Sequence, residues 1–78
     1  MLETEMKILV SFGSTTNAMG FERFCKNNNI EGRMIPLPKK ISAGCGICWI
    51  SPITVKDKVF SALKISGYKS EGVYEMEI

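Results

Sequence analysis

Apolar residues recur in this 78-residue chain with two different periods, and the order of those periods leaves few folds open. Alternating or continuous short apolar runs predict four strands, over 6–12, 32–37, 46–51 and 73–78. Apolar residues at helical spacing predict two helices, from about 14 to 28 and from about 53 to 66. The predicted order of elements is therefore βαββαβ.

That order predicts an α+β domain of the ferredoxin-like type, a four-stranded antiparallel sheet with both helices on one face. The right-handed crossover rule places the third strand between the first and second, and the fourth strand beside the first. The third strand is apolar on both faces, which agrees with a central position. We expect residues 1–78 to form a single domain, because the sequence has neither a linker nor an internal repeat.

Two parts of the sheet have predicted orientations that bear on partner binding. In one interpretation, Leu9 and Trp49 form an apolar patch on the helix-free face that suits a dimer or partner. In the other, Trp49 packs in the core. In the last strand, alternation predicts that Tyr74 and Met76 face inward and that Glu75 faces outward.

Charge and composition argue against several classes of partner. The net charge of +2 is too small to favour nucleic acid or an acidic membrane. No apolar run is long enough to span a bilayer, and residues 1–7 contain no signal-peptide core. We therefore expect a cytoplasmic protein with no nucleic-acid or membrane partner. A homodimer also stays open, because a chain of this size buries little surface alone.

The chain has three cysteines and no histidine. An odd number of cysteines argues against a disulfide framework, and cytosolic thiols stay reduced unless they are catalytic or bind metal. The absence of histidine excludes Ser-His-Asp and Cys-His catalysis. Cys25 lies on the apolar face of the first helix and is expected in the core. The chemistry therefore centres on Cys45 and Cys48.

Cys45 is predicted to be a reactive thiolate. In this topology the loop before the third strand lies at the edge where the first helix begins, at Gly13, Ser14 and Thr15. Unpaired N–H groups at a helix N-terminus favour an anion, and such settings lower a thiol pKa from about 8.5 to roughly 3.5–7.5. Further support for the thiolate is predicted from the charges of Lys39, Lys40 and Arg33 and from the close backbone approach that Gly44 and Gly46 allow. The structural alternative is a tight turn in which the cysteine is merely a small residue.

Cys48 follows Cys45 at the C-x-x-C spacing, which leaves two further interpretations open. That spacing occurs in dithiol redox proteins and in half of a zinc site. Thioredoxin-type pairs open a helix, whereas this pair opens a strand, where positions three apart point to opposite faces. A disulfide between Cys45 and Cys48 would therefore need a bulge in the strand. A zinc site would need a second pair of cysteines, which only a dimer could supply, so we expect no bound metal.

Several stretches resemble one family across nearly the whole chain. They are Phe-x-Ser-Thr-x-x-Ala-x-x-x-Glu at 12–22, Ile-Pro-Leu-Pro at 35–38, Pro-x-x-Ile-Ser-x-x-Cys-Gly at 38–46 and Gly-Val-Tyr at 72–74. The sequence is similar to the small bacterial selenium/sulfur carrier-like proteins. The resemblance implies that Cys45 holds a persulfide or perselenide, passed between donor and acceptor proteins. It implies no cofactor besides that transient atom and no required role for Cys48. A separate hypothesis, which does not come from the resemblance, is that Cys48 helps to release the atom by forming a disulfide.

Three functions therefore stay open. The first is a sulfur or selenium carrier, rather than a turnover enzyme, that uses Cys45. The second is a dithiol redox protein that uses Cys45 and Cys48. The third is a non-catalytic interaction or regulatory domain that uses the apolar sheet face and in which Cys45 has no role.

Overall fold

The computed structural model describes residues 5–36 and 47–77. Its elements are β1 (Met6–Phe12), α1 (Thr15–Asn27), β2 (Arg33–Pro36), β3 (Ile47–Pro52), a short 3-10 turn (Ile53–Val55), α2 (Lys56–Ser66) and β4 (Ser70–Glu77). The strands form one antiparallel sheet in the order β2-β3-β1-β4. The predicted ferredoxin-like α+β fold and its strand order are confirmed. Within the described ranges, neither helix is long and apolar enough to cross a bilayer.

The ends of α1 follow from its flanking residues. Ser14 has an extended backbone, and its Oγ accepts a hydrogen bond from the Asn17 N–H at 3.2 Å, which caps the helix. At the other end Asn28 caps the helix and Asn29 has a positive φ of 59°. Asparagine tolerates this left-handed conformation better than most residues do, so the chain can leave the helix there.

A left-handed glycine ends α2. Gly67 has a φ of 79°, a conformation that glycine adopts without the clash that a Cβ atom causes. Glycine just past the last helical residue is a common way for a helix to end.

Replacing Gly67 with alanine is expected to lower the free energy of unfolding by about 1 kcal/mol. No described atom lies within 4 Å of a Cβ built at this position, so the loss should come from backbone strain alone. Gly67→Asn should lose less, because asparagine enters the left-handed region more readily. Urea denaturation would measure both losses, and an alanine variant as stable as the wild type would contradict this explanation.

The main core lies between the sheet and the two helices. Trp49 of β3 is fully buried there and meets Phe21 of α1 edge-on, with ring centroids 5.0 Å apart. Phe12 packs on the other side of Phe21 at 5.4 Å. Of the two placements predicted for Trp49, the core position is confirmed. Trp49 therefore does not share a sheet face with Leu9, and the apolar patch predicted from that pair is wrong.

The helix-free face of the sheet is apolar as well. Leu9 and Cys48 are fully buried and Ile50 is 4% exposed, with Ile35 and Met76 packed against them. Because Leu9 has no exposed surface, it offers none to a partner.

The predicted orientations in β4 are confirmed in part, because Glu75 is exposed and Met76 is half-buried, whereas Tyr74 is exposed. Tyr74 pairs with Leu9 in the β1–β4 register, so it shares the helix-free face with Leu9. Glu75 pairs with Ile8 on the helix side and forms an exposed ion pair with Lys56 of α2, at 3.5 Å. The prediction assumed that only one face of the sheet is apolar. Both faces are apolar near the centre of the sheet, so Tyr74 and Met76 lie on the helix-free face and Glu75 lies on the helix side.

Candidate functional site

The connection from β1 to α1 forms one part of the predicted site. Gly13 and Ser14 make this connection, and Thr15 begins the helix. The first turn of α1 contains no acidic residue, whereas that of α2 contains Asp57. An unneutralised helix N-terminus carries a partial positive charge from its N–H groups. The start of α1 therefore favours an anion more than the start of α2 does.

Pro36 and Ile47, the described residues on either side of 37–46, lie at this same edge of the sheet. Pro36, the last residue of β2, pairs with Ile47, the first of β3. The next residue of β3, Cys48, pairs with Ser11 near the end of β1. The chain therefore leaves β2 and enters β3 close to the position where β1 passes into α1. Lys39, Lys40, Gly44, Cys45 and Gly46 lie outside the described residues, and their predicted roles stay predictions.

A carboxylate that the sequence reasoning missed also lies at this edge. A Cβ atom built on Gly13 would be 3.6 Å from the Glu71 Cγ and Oε2 atoms, so the Glu71 side chain borders the start of α1. The sequence-based strand began at residue 73, but β4 begins at Ser70. Continuing the predicted antiparallel pairing of the last strand with β1 would have brought residue 71 to this edge.

Arg33 does not lie at this edge, contrary to the prediction. It is the first residue of β2, three residues from Pro36, and it pairs with Ile50. It borders a pocket together with Lys7 and Pro52, at the opposite end of the sheet. The prediction rested only on the positive charge of Arg33. Arg33 begins β2, whereas the loop follows the last residue of β2, so the length of the strand separates them.

The other two cysteines are in apolar surroundings. Cys48 is fully buried on the helix-free face. Cys25 lies in the core beneath α1, as predicted, and burial raises the pKa of its thiol to about 12. A thiol with such a pKa is almost entirely protonated at neutral pH and is a poor nucleophile.

The raised pKa of Cys25 has a consequence for stability at high pH. The folded pKa of about 12 exceeds the ordinary value of 9.0, so the protonated thiol stabilises the fold fully below about pH 9, and this stabilisation is lost as the pH rises toward 12. Urea denaturation at about pH 8 and about pH 10.5 should show the wild type losing about 2 kcal/mol more stability than Cys25→Ala. Equal losses in the two proteins would contradict the assignment, because their lysines titrate alike.

The fold places the chain among the ferredoxin-like α+β domains, with an anion-favouring helix start at one edge of the sheet. Its sequence matches the family model described as putative Se/S carrier protein-like over residues 7–75. Because the match spans most of the chain, the protein belongs to this family. The matched range includes the start of α1, Glu71 and all three cysteines. No curated protein and no solved structure shows significant similarity to the chain.

Proposed function

We propose that the protein carries sulfur or selenium as a persulfide or perselenide on Cys45 and passes it from a donor protein to an acceptor protein. Membership of the Se/S carrier-like family supports this proposal. The structural observation that carries it is the shared location of the β2 end, the β3 start and the N-terminus of α1, whose first turn contains no acidic residue.

Chain connectivity limits how far Cys45 can be from this edge. Cys45 precedes Ile47 by two residues, and each peptide unit spans about 3.8 Å between Cα atoms. The Cys45 Cα is therefore within about 8 Å of the Ile47 Cα. This bound supports a sulfur within reach of the α1 N-terminus.

Opposite electrostatic influences act at the edge. The N–H groups of α1 favour a thiolate, and so do Lys39 and Lys40 in the neighbouring sequence. Glu71 opposes them, because its carboxylate repels a second negative charge. We infer that the helix and the two lysines outweigh Glu71 and hold the pKa of Cys45 below its ordinary value.

The transfer needs no general base on this protein. The Cys45 thiolate attacks the terminal sulfur of a donor persulfide, the new S–S bond forms on Cys45, and the donor cysteine leaves as a thiolate. An acceptor nucleophile then takes the terminal atom, and Cys45 returns to the thiolate. Neither step adds or removes electrons overall, and selenium follows the same course. The absence of histidine from the chain agrees with this chemistry.

The two alternative functions have less support. A dithiol mechanism would need the Cys48 sulfur to leave a fully buried position, so we propose no required role for Cys48. An interaction domain built on an apolar patch of Leu9 and Trp49 lacks that patch, because both side chains are fully buried and lie on opposite faces. We also propose a cytoplasmic location, since a reducing compartment keeps such a thiol available.

The pH dependence of Cys45 alkylation tests the proposal. Mass spectrometry of peptides from protein treated briefly with iodoacetamide would follow the reaction at Cys45 alone. We expect a midpoint well below the ordinary thiol pKa of about 8.5 in the folded protein, and a return to about that value in urea. An equal midpoint in both conditions would contradict the proposed thiolate.

Glu71→Gln should make Cys45 more reactive. Removing the carboxylate removes a repulsion, which lowers the Cys45 pKa, so we expect the alkylation rate to rise about two- to threefold at pH values below the wild-type midpoint. Glu75→Gln is the matched control, because Glu75 lies farther along β4 and pairs with Lys56. A slower reaction in Glu71→Gln would show that the carboxylate assists the thiol instead.

A further inference from the structure

The outer side of β4 is a long edge of the sheet. β4 has eight residues and pairs through its inner side with β1. Among the described strands, none pairs with its outer side. In an antiparallel strand, alternate residues direct their N–H and C=O groups away from the paired neighbour, so this edge presents a row of hydrogen-bonding groups.

The two edges of the sheet differ in how they are protected. The opposite edge strand, β2, has only four residues and ends in Pro36, which cannot donate a hydrogen bond. β4 contains neither proline nor lysine, the residues that most often keep a second strand from adding. Its irregular register with β1 is confined to its start, beside Ser11 and Phe12. Residues 72–77 thus form a regular strand edge.

The side chains of β4 give this edge a specific chemistry. Glu75 and Glu77 lie on the helix side, in register with Ile8 and Met6. Tyr74 and Met76 lie on the other side, in register with Leu9 and Lys7. The exposed ion pair of Glu75 with Lys56, at 3.5 Å, is of the weak surface type. It therefore leaves the carboxylate able to attract a further cation.

We propose that β4 binds an extended segment of a partner protein, which adds to the sheet as a fifth strand. Complementary pairing across strands requires basic residues at alternate positions of that segment, opposite Glu75 and Glu77. The residues between them are apolar or aromatic and lie beside Tyr74 and Met76. This docking site is independent of the proposed carrier function, because it uses no cysteine.

A second copy of this chain fits the edge less well. An antiparallel β4–β4 pair would bring two sets of Glu71, Glu75 and Glu77 into one seam, and like charges across paired strands are unfavourable. The same carboxylates favour a basic segment. Charge therefore selects a different protein over self-association.

A capped peptide of alternating lysine and valine, matched to β4 in length, is a suitable probe. Titrated into the ¹⁵N-labelled protein, it should shift the amide resonances of residues 71–77 most and slow hydrogen exchange at alternate β4 amides. Glu75→Lys and Glu77→Lys should each weaken binding about fivefold or more, whereas the control Glu22→Lys on α1 should leave binding unchanged. Cys45→Ser should bind as the wild type does, which separates this test from that of the carrier function.

Two further outcomes distinguish strand addition from simple charge attraction. A peptide of the same sequence with an N-methyl group at every residue keeps its charge but loses its N–H donors, so it should bind at least about tenfold more weakly. Equal binding of both peptides, or shifts centred away from β4, would overturn the proposal. Sedimentation of the protein alone as a dimer with protected β4 amides would overturn it in favour of a second copy.

Discussion

Replacing Trp49 with alanine is expected to remove a large part of the stability of the protein. Trp49 is fully buried, meets Phe21 edge-on at 5.0 Å and packs closely against the backbone at Gly32. Truncating a buried tryptophan costs about 3–5 kcal/mol. A domain of this size has a total stability of about 4–12 kcal/mol, so the loss removes much or all of it. Circular dichroism during urea denaturation would measure the effect.

Two variants place limits on this explanation. Trp49→Phe keeps an aromatic ring beside Phe21 and should lose less stability than the alanine variant. Met19→Ala, at a largely exposed position on α1, should change the free energy of unfolding by no more than about 0.5 kcal/mol. A Trp49→Ala protein as stable as Met19→Ala would show that the core is not centred on this side chain.

Cys45→Ser is expected to lose all uptake of sulfur or selenium from a donor enzyme. When the wild type is incubated with a cysteine desulfurase and cysteine, its mass should increase by one sulfur atom. A serine hydroxyl is not ionised at neutral pH and cannot take up the atom. Intact-protein mass spectrometry without reductant would measure the gain.

The other cysteines serve as controls for this loss. Cys25→Ser and Cys48→Ala should keep the uptake, provided that circular dichroism shows each variant folded, because both thiols are buried. Uptake by Cys45→Ser equal to that of the wild type would refute the carrier proposal. Loss of uptake in folded Cys48→Ala would favour the dithiol alternative.

Most of the fold could be predicted from the sequence because local patterns and topology agree. Alternation in β1, the Ser14 cap, the asparagine stop and Gly67 define the elements, and the crossover rule orders the strands. The side-chain directions in β4 could not be predicted in the same way. Alternation separates the glutamates from Tyr74 and Met76, but both faces of the sheet are apolar near its centre, so the pattern does not show which set lies on the helix side.

Less of the candidate site could be predicted, because it depends on contacts between distant segments. The start of α1 follows from Ser14 and its place after β1, which sequence patterns reveal. Glu71 is 58 positions from Gly13 in the chain, and only the pairing of β4 with β1 brings them together. Arg33 illustrates the opposite error, since a charged residue close to the loop in sequence lies at the far end of a strand.

Locating the transferred atom tests the central claim most directly. After loading by a cysteine desulfurase, iodoacetamide would trap the persulfide, and fragment ions would assign the added sulfur to one of the three cysteines. The proposed function predicts the added sulfur on Cys45, with none on Cys25 or Cys48. Sulfur found on another cysteine, or on no cysteine of the folded protein, would contradict it.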